Sequence, residues 1–233
     1  MSTERRHRCK QHRERSEDAA RPAITLPTFS NTSVSVQDYC LRVPDNGARA
    51  DKDMGEYTEL LQTIALTLGV AWASGINLYA AVAVLGIGGA TGYVELPAEL
   101  SVVQDPLVIV AAALMYCVEF MADKIPGVDS AWDSLHTFVR IPAGAMLAAG
   151  AAGSVDPAIG VAAGLLGGTL TAATHATKAG ARVLINTSPE PFSNFGISIA
   201  EDIAVFTGLW VALTHPVLFL VALAAFLILL CLL

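Results

Sequence analysis

The chain has 233 residues, 54% of them hydrophobic and 15% charged, with a formal net charge of −7. A soluble domain carries roughly 25% charged residues, so this composition, with a mean hydropathy of +0.54, excludes an ordinary water-soluble globule. Charge is also unevenly placed: residues 1–55 hold 10 of the 14 Lys and Arg and 8 of the 21 Asp and Glu, which leaves 56–233 with four basic and thirteen acidic groups. That deficit of basic groups gives no footing for nucleic-acid binding outside the tail. It predicts an all-α integral membrane protein whose partner is the lipid bilayer.

Residues 1–55 read as a disordered tail, because Arg, His and Glu are followed by Ser, Thr, Pro and Asn without a sustained apolar period. No apolar h-region follows the first basic residues, so no signal peptide is expected. Met54 stands just before the first apolar run and is a candidate alternative start. The transmembrane domain is then 56–233.

Six spans are expected. The first, 60–88, is interrupted by Ala73-Ser74-Gly75-Ile76-Asn77. Small residues and an Asn at that depth mean close helix packing, the simpler reading, or a broken helix lining a polar cavity. An acidic loop over 89–105 leads to the second span, 106–123, with Pro106 suited to a helix start. Residues 124–136 form a polar connection broken at Pro126-Gly127. The third span, 137–154, carries Gly144, Ala148 and Ala152 at four-residue spacing, and the fourth, 158–178, carries Gly160, Gly164 and Gly168. Such faces let helices approach closely and favour a homo-oligomer. A second polar connection covers 179–195. The remainder is too long for one crossing at about 1.5 Å per residue, and Thr214-His215-Pro216 divides it into 195–213 and 217–233. One long kinked helix is the competing reading.

With the N-terminus in the cytoplasm, Lys124, Arg140, Lys178 and Arg182 all fall at the inner side, and the outer connections hold no Lys or Arg. This satisfies the positive-inside rule and predicts a multi-pass protein of the plasma membrane.

The chemistry gathers at the cytoplasmic third. Glu119 and Asp123 are four apart on one helix face, and Asp129/Asp133 and His136/Arg140 repeat that spacing. His175, Lys178 and Arg182 share a face of the fourth span, and Glu201 and Asp202 enter one to two turns inside the fifth. With Asn77 and Asn186 these residues are the candidate substrate or ion site. Ionisable groups at membrane depth are costly and usually functional. The carboxylates would hold a cation or relay protons, and the His, Lys and Arg would hold an anion or neutralise them. The competing reading is a set of interfacial salt bridges that fix helix ends. Hard-cation binding is open, since oxygen ligands abound, although no EF-hand, HExxH or CxxC spacing is present. Cys9, Cys40, Cys117 and Cys231 are scattered without pairing logic. No catalytic residue and no cofactor is expected.

Ala73-Ser74-Gly75-Ile76-Asn77, the block from Glu119 through Asp123-Lys124-Ile125-Pro126-Gly127-Val128-Asp129 to Trp132-Asp133, then Arg140, Gly164-Leu165-Leu166-Gly167-Gly168, His175, Lys178, Arg182, Asn186 and Glu201-Asp202 carry a resemblance. Over about 58–230 the chain resembles the bacterial membrane family called domain of unknown function 4126. The resemblance implies a multi-span membrane protein and brings no activity, substrate or catalytic residue.

Three functions follow in order of support. The first is a small transporter or channel for an ion or small solute. The second is a non-catalytic membrane scaffold or assembly partner whose charges are structural. The third and weakest is a lipid-modifying enzyme using the inner-side His and carboxylates.

Overall fold

The computed structural model describes residues 46–125, 127–153, 156–187 and 191–232, and these are helical with short turns. The elements are α1 (Asn46–Ala90), a 3-10 helix (Ala98–Gln104), α2 (Pro106–Ala122), α3 (Val128–Ala151), α4 (Pro157–Asn186), α5 (Pro191–Thr214) and α6 (Pro216–Leu232). Met1–Met54 and Gly55–Leu233 are two separate units, and the site lies in the second. The expectation of disorder over 1–55 falls mostly outside the described residues; from Asn46 onward the chain is already helical.

Acidic loop residues act as caps. Asp105 Oδ1 accepts the Leu107 N–H at 2.8 Å and Asp156 Oδ1 accepts the Ala158 N–H at 2.7 Å, each just before a proline at the first helical position. A side-chain acceptor satisfies a backbone donor that a helix start leaves bare, and proline there has no N–H to lose. The turn into α3 uses Gly127 at φ 86°, a conformation costly for residues with a Cβ. The Gly127 N–H is held by Asp129 Oδ1 at 2.8 Å.

Besides α1, which starts at Asn46 rather than at 60, two helices extend well beyond their expected bounds. α3 starts at Val128, so Asp129, Asp133 and His136 are helical rather than part of a polar connection. α4 runs on to Asn186, so Arg182 and Asn186 are helical too. In both stretches the charged side chains turn inward onto one another, and a helix face that pairs its charges has no need to end where the charges begin. The 195–213/217–233 division is observed as α5 and α6, separated at His215.

α1 is the central helix, with Ala65, Val70, Ala71, Ala73, Ser74, Asn77, Ala81 and Leu85 at or near zero exposure. α3 and α4 pair most extensively. A Cβ at Gly168 would sit 3.1 Å from Ala145 Cβ, and one at Gly75 would sit 2.6 Å from the Thr171 carbonyl oxygen, so α4 is pressed against both α3 and α1. Thr171 Oγ1 seals the contact with a 2.8 Å hydrogen bond to Ala71 O. Gly160, by contrast, meets nothing within 4 Å.

Polarity is arranged inside out. Leu107, Val110, Leu114, Val118 and Met121 of α2, Ile203 and Trp210 of α5, and Val217, Val221, Ile228 and Leu232 of α6 are exposed, while Glu119, Asp129, Asp133, Arg140 and Arg182 are buried at 0–1% exposure. A water-soluble fold buries its large apolar groups and shows its charges. α1, α4 and α5 are each long and apolar enough to cross a membrane, and the 3-10 helix with α2, bent by 64°, makes a fourth if taken as one span.

Candidate functional site

The site begins at a break in α1. Asn77 has φ −148° and ψ 98°, outside the helical region. In an unbroken helix the Ala80 N–H would bond to the Ile76 carbonyl. Here Asn77 Oδ1 takes the Ala80 N–H at 2.9 Å, and the released Ile76 carbonyl accepts from Lys178 Nζ at 3.0 Å. The Asn side chain and the Lys ammonium together replace the missing backbone bond, so the break stays buried with both groups satisfied. Both expectations for this segment meet here: Gly75 is at a close helix contact and Asn77 is at a break.

Around Lys178 stand four carboxylates: Asp123 at 2.9 Å, Glu119 at 3.5 Å, Glu201 at 3.6 Å and Asp133 at 3.8 Å. Arg140 of α3 spans the next layer. Its guanidinium donates to Glu119 Oε1 at 2.5 Å, to Asp133 Oδ1 at 2.9 Å and to His175 Nδ1 at 3.1 Å. An arginine can only donate, so His175 accepts through Nδ1 and carries its proton on Nε2, which donates to Thr137 Oγ1 at 2.7 Å. That hydroxyl in turn donates to the Asp133 carbonyl at 2.9 Å.

Arg182 ties α4 to three other segments. It donates to the Asp123 carbonyl and to Asn194 Oδ1, each at 2.7 Å, and to Glu201 Oε2 at 2.5 Å. Asp129 Oδ2 stands 3.7 Å from the same guanidinium. Asn186 holds the Asp129 carboxylate from the other side at 3.0 and 3.1 Å. At the edge nearest α1, Asn77 Nδ2 donates to Asp202 Oδ1 at 3.3 Å. Lys124, between α2 and α3, lies over the Phe120 ring, and burial pushes its ammonium below the usual lysine range while Asp202 and Asp123 pull it back.

All the candidate residues except His136 thus belong to one network. His136 stands apart, stacked on Trp132 with ring centroids 4.1 Å apart. Its Nδ1 donates to the Trp132 carbonyl and its Nε2 accepts from the Tyr79 hydroxyl at 3.1 Å. Three contributors were not singled out from sequence. Asn194 is 1% exposed and Arg182's partner; its spacing of seven from Glu201 was the available signal. Thr137 is one residue from His136. The Ile76 carbonyl is a backbone atom, and residue types give no sign of it.

Charge does not balance. Six carboxylates (Glu119, Asp123, Asp129, Asp133, Glu201 and Asp202) face four cations, the buried Arg140, Lys178 and Arg182 and the half-buried Lys124. Glu119 Oε2, Asp123 Oδ1, Asp133 Oδ2 and Asp202 Oδ2 are buried without a hydrogen-bond partner, and so are the donors Arg140 Nε, Arg182 Nε and Asn194 Nδ2. An uncompensated buried carboxylate is expensive. Among the described residues no group of three or more His, Cys, Asp or Glu is arranged to hold a metal ion.

No curated protein and no solved structure matches the chain. A family model described as Domain of unknown function (DUF4126) matches residues 64–233, which takes in every residue of the network. The chain belongs to the DUF4126 family.

Proposed function

We propose that the chain is a six-span protein of a bacterial plasma membrane, with its N-terminus in the cytoplasm, that moves an ion or small solute across the bilayer through its buried acidic cluster. The observation that carries the reading is the excess of carboxylates over fixed cations, with four buried oxygens unpartnered. A purely structural network would be expected to balance its charge, because each unpaired buried carboxylate destabilises the fold. The apolar exterior and the confinement of Lys124, Arg140, Lys178 and Arg182 to one side support the spans and their orientation. The break at Asn77 supports a polar pathway at mid-depth, where discontinuous helices commonly line a site.

One observation favours a scaffold instead: each buried cation is already held by at least two carboxylates or carbonyls, as a lock between helices would be. A thermal-shift series in detergent separates the two. Purified wild type and Asp123→Asn are melted against protons, alkali and divalent cations and small metabolites. A ligand at a hundredfold excess over its Kd stabilises by about 2.7 kcal/mol. The transport reading expects such a shift in wild type and its loss in Asp123→Asn. No shift with any ligand, together with a much lower melting point for the variant, would establish the lock.

A further inference from the structure

Beside the charged network lies a cavity of about 530 Å³, bounded by α1, α4, α5 and α6. Its walls are almost wholly apolar and partly aromatic, with Trp72, Phe219 and Phe226 among them, and the charged residues that reach it are Lys178 and Glu201, at its end on the charged network. Trp72 and Phe219 meet edge to face at 6.1 Å. The volume falls within the range of about 300–1,000 Å³ typical of small-molecule sites.

The two charged groups at that end are not equivalent. The Lys178 ammonium is bonded to the Ile76 carbonyl and to Asp123, and four carboxylates surround it within 4 Å, so its charge is more than compensated. Of those four, Glu201 keeps the most exposure, with its side chain at 16%. Glu201 is itself paired with Arg182 at 2.5 Å, but the linked carboxylates Glu119, Asp123, Asp129, Asp133 and Glu201 outnumber Arg140, Lys178 and Arg182, so this end of the cavity keeps net negative charge. An acyl chain there would press hydrocarbon against a carboxylate, and a lipophilic anion would be repelled. A cation with apolar bulk satisfies both parts, charge against Glu201 and bulk against rings that also attract cations.

We propose that the cavity between α1, α4, α5 and α6 is a binding site for lipophilic organic cations, such as protonated amines or quaternary ions with aromatic or aliphatic substituents, anchored on Glu201. The inference rests on the transport reading in so far as it names the class of solute for the same cluster. Its test is equilibrium binding to the full-length protein in detergent, using tetraphenylphosphonium and tetraphenylborate, which are alike in size and opposite in charge. Wild type binds the phosphonium saturably and not the borate. Glu201→Gln, whose amide oxygen still accepts from Arg182, weakens phosphonium binding by about tenfold or more. Ala222→Phe, placed where the cavity wall is exposed, does the same by filling space. Equal binding of both ions would identify a merely apolar groove. Absent saturable phosphonium binding, or binding indifferent to Glu201→Gln, would overturn the proposal. Flux of protons, inorganic cations and a protonated organic amine in proteoliposomes is read separately: flux of protons or inorganic cations without phosphonium binding removes this inference alone, and phosphonium binding without flux of any of them removes the transport reading alone.

Discussion

Arg140→Leu is expected to lower the unfolding free energy by about 3–5 kcal/mol, the cost of removing one partner from a buried ion pair. Arg140 and Glu119 are both fully buried, and Asp133 is nearly so. Without the guanidinium, Glu119 Oε1 and Asp133 Oδ1 lose their closest donor and His175 Nδ1 loses its hydrogen bond. Lys178 lies 3.5 and 3.8 Å from those two oxygens and cannot close on both while it holds Asp123 and the Ile76 carbonyl. Arg140→Lys should fall between wild type and Arg140→Leu. It keeps the charge, but one ammonium cannot reproduce a planar fork that serves three acceptors. Adding Glu119→Gln to Arg140→Leu should recover part of the loss, because it removes the charge left alone. Glu56→Gln, at an exposed position, serves as the control and should stay within about 0.5 kcal/mol of wild type. Denaturant titration in mixed detergent gives all four values. An Arg140→Leu protein as stable as the control would mean that the pair is not buried as described.

Asn77→Leu is expected to cost between about 2 and 6 kcal/mol, since it leaves two buried polar groups bare at about 1–3 kcal/mol each. Those groups are the Ala80 N–H and Asp202 Oδ1. α1 would recover the first by straightening, through the ordinary bond from Ala80 to the Ile76 carbonyl. That recovery takes the carbonyl from Lys178 and loosens the centre of the network. Asn77→Asp discriminates further. It keeps the acceptor for Ala80 but sets a carboxylate against Asp202, so it should also destabilise the fold. If Asn77→Leu melts with wild type, the break in α1 is held by something other than this side chain.

Much of the architecture was readable in advance, and the misreadings have a common cause. The breaks at Pro106, Asp156-Pro157 and Pro216 coincide with the starts of α2, α4 and α6, because proline and a capping carboxylate act locally. α3 starts and α4 ends a little over two turns beyond the expected bounds, because Asp129, Asp133, Arg182 and Asn186 read as polar connections between spans. Charge in a sequence reads as exposure unless its partner is known, and the partners here are remote: Arg182 pairs with Glu201 and Lys178 with Asp123, 19 and 55 residues away. Four-residue spacing correctly placed Glu119 with Asp123 on one face. It also suggested that His136 accompanies Arg140, whereas the ring of Trp132 draws His136 into a separate stack with Tyr79. The Gly168 and Gly144 faces are used between α3 and α4. They therefore say less about association between copies than their spacing suggested.

The central claim is that the surplus carboxylates carry mobile positive charge across a bilayer. Its most direct test is flux into sealed proteoliposomes, following protons and then each alkali and divalent cation, for wild type, Asp123→Asn and Asp202→Asn. Asp202 has no cation among its hydrogen-bond partners, only Asn77, and its cationic neighbour Lys124 also feels Asp123, so its neutralisation removes a charge without breaking a hydrogen-bonded ion pair. The account predicts flux in wild type above that of protein-free vesicles, and flux at the protein-free level in both variants, with Asp202→Asn still melting near wild type. Wild-type vesicles no more permeable than empty ones, to protons and to every cation tried, would contradict it.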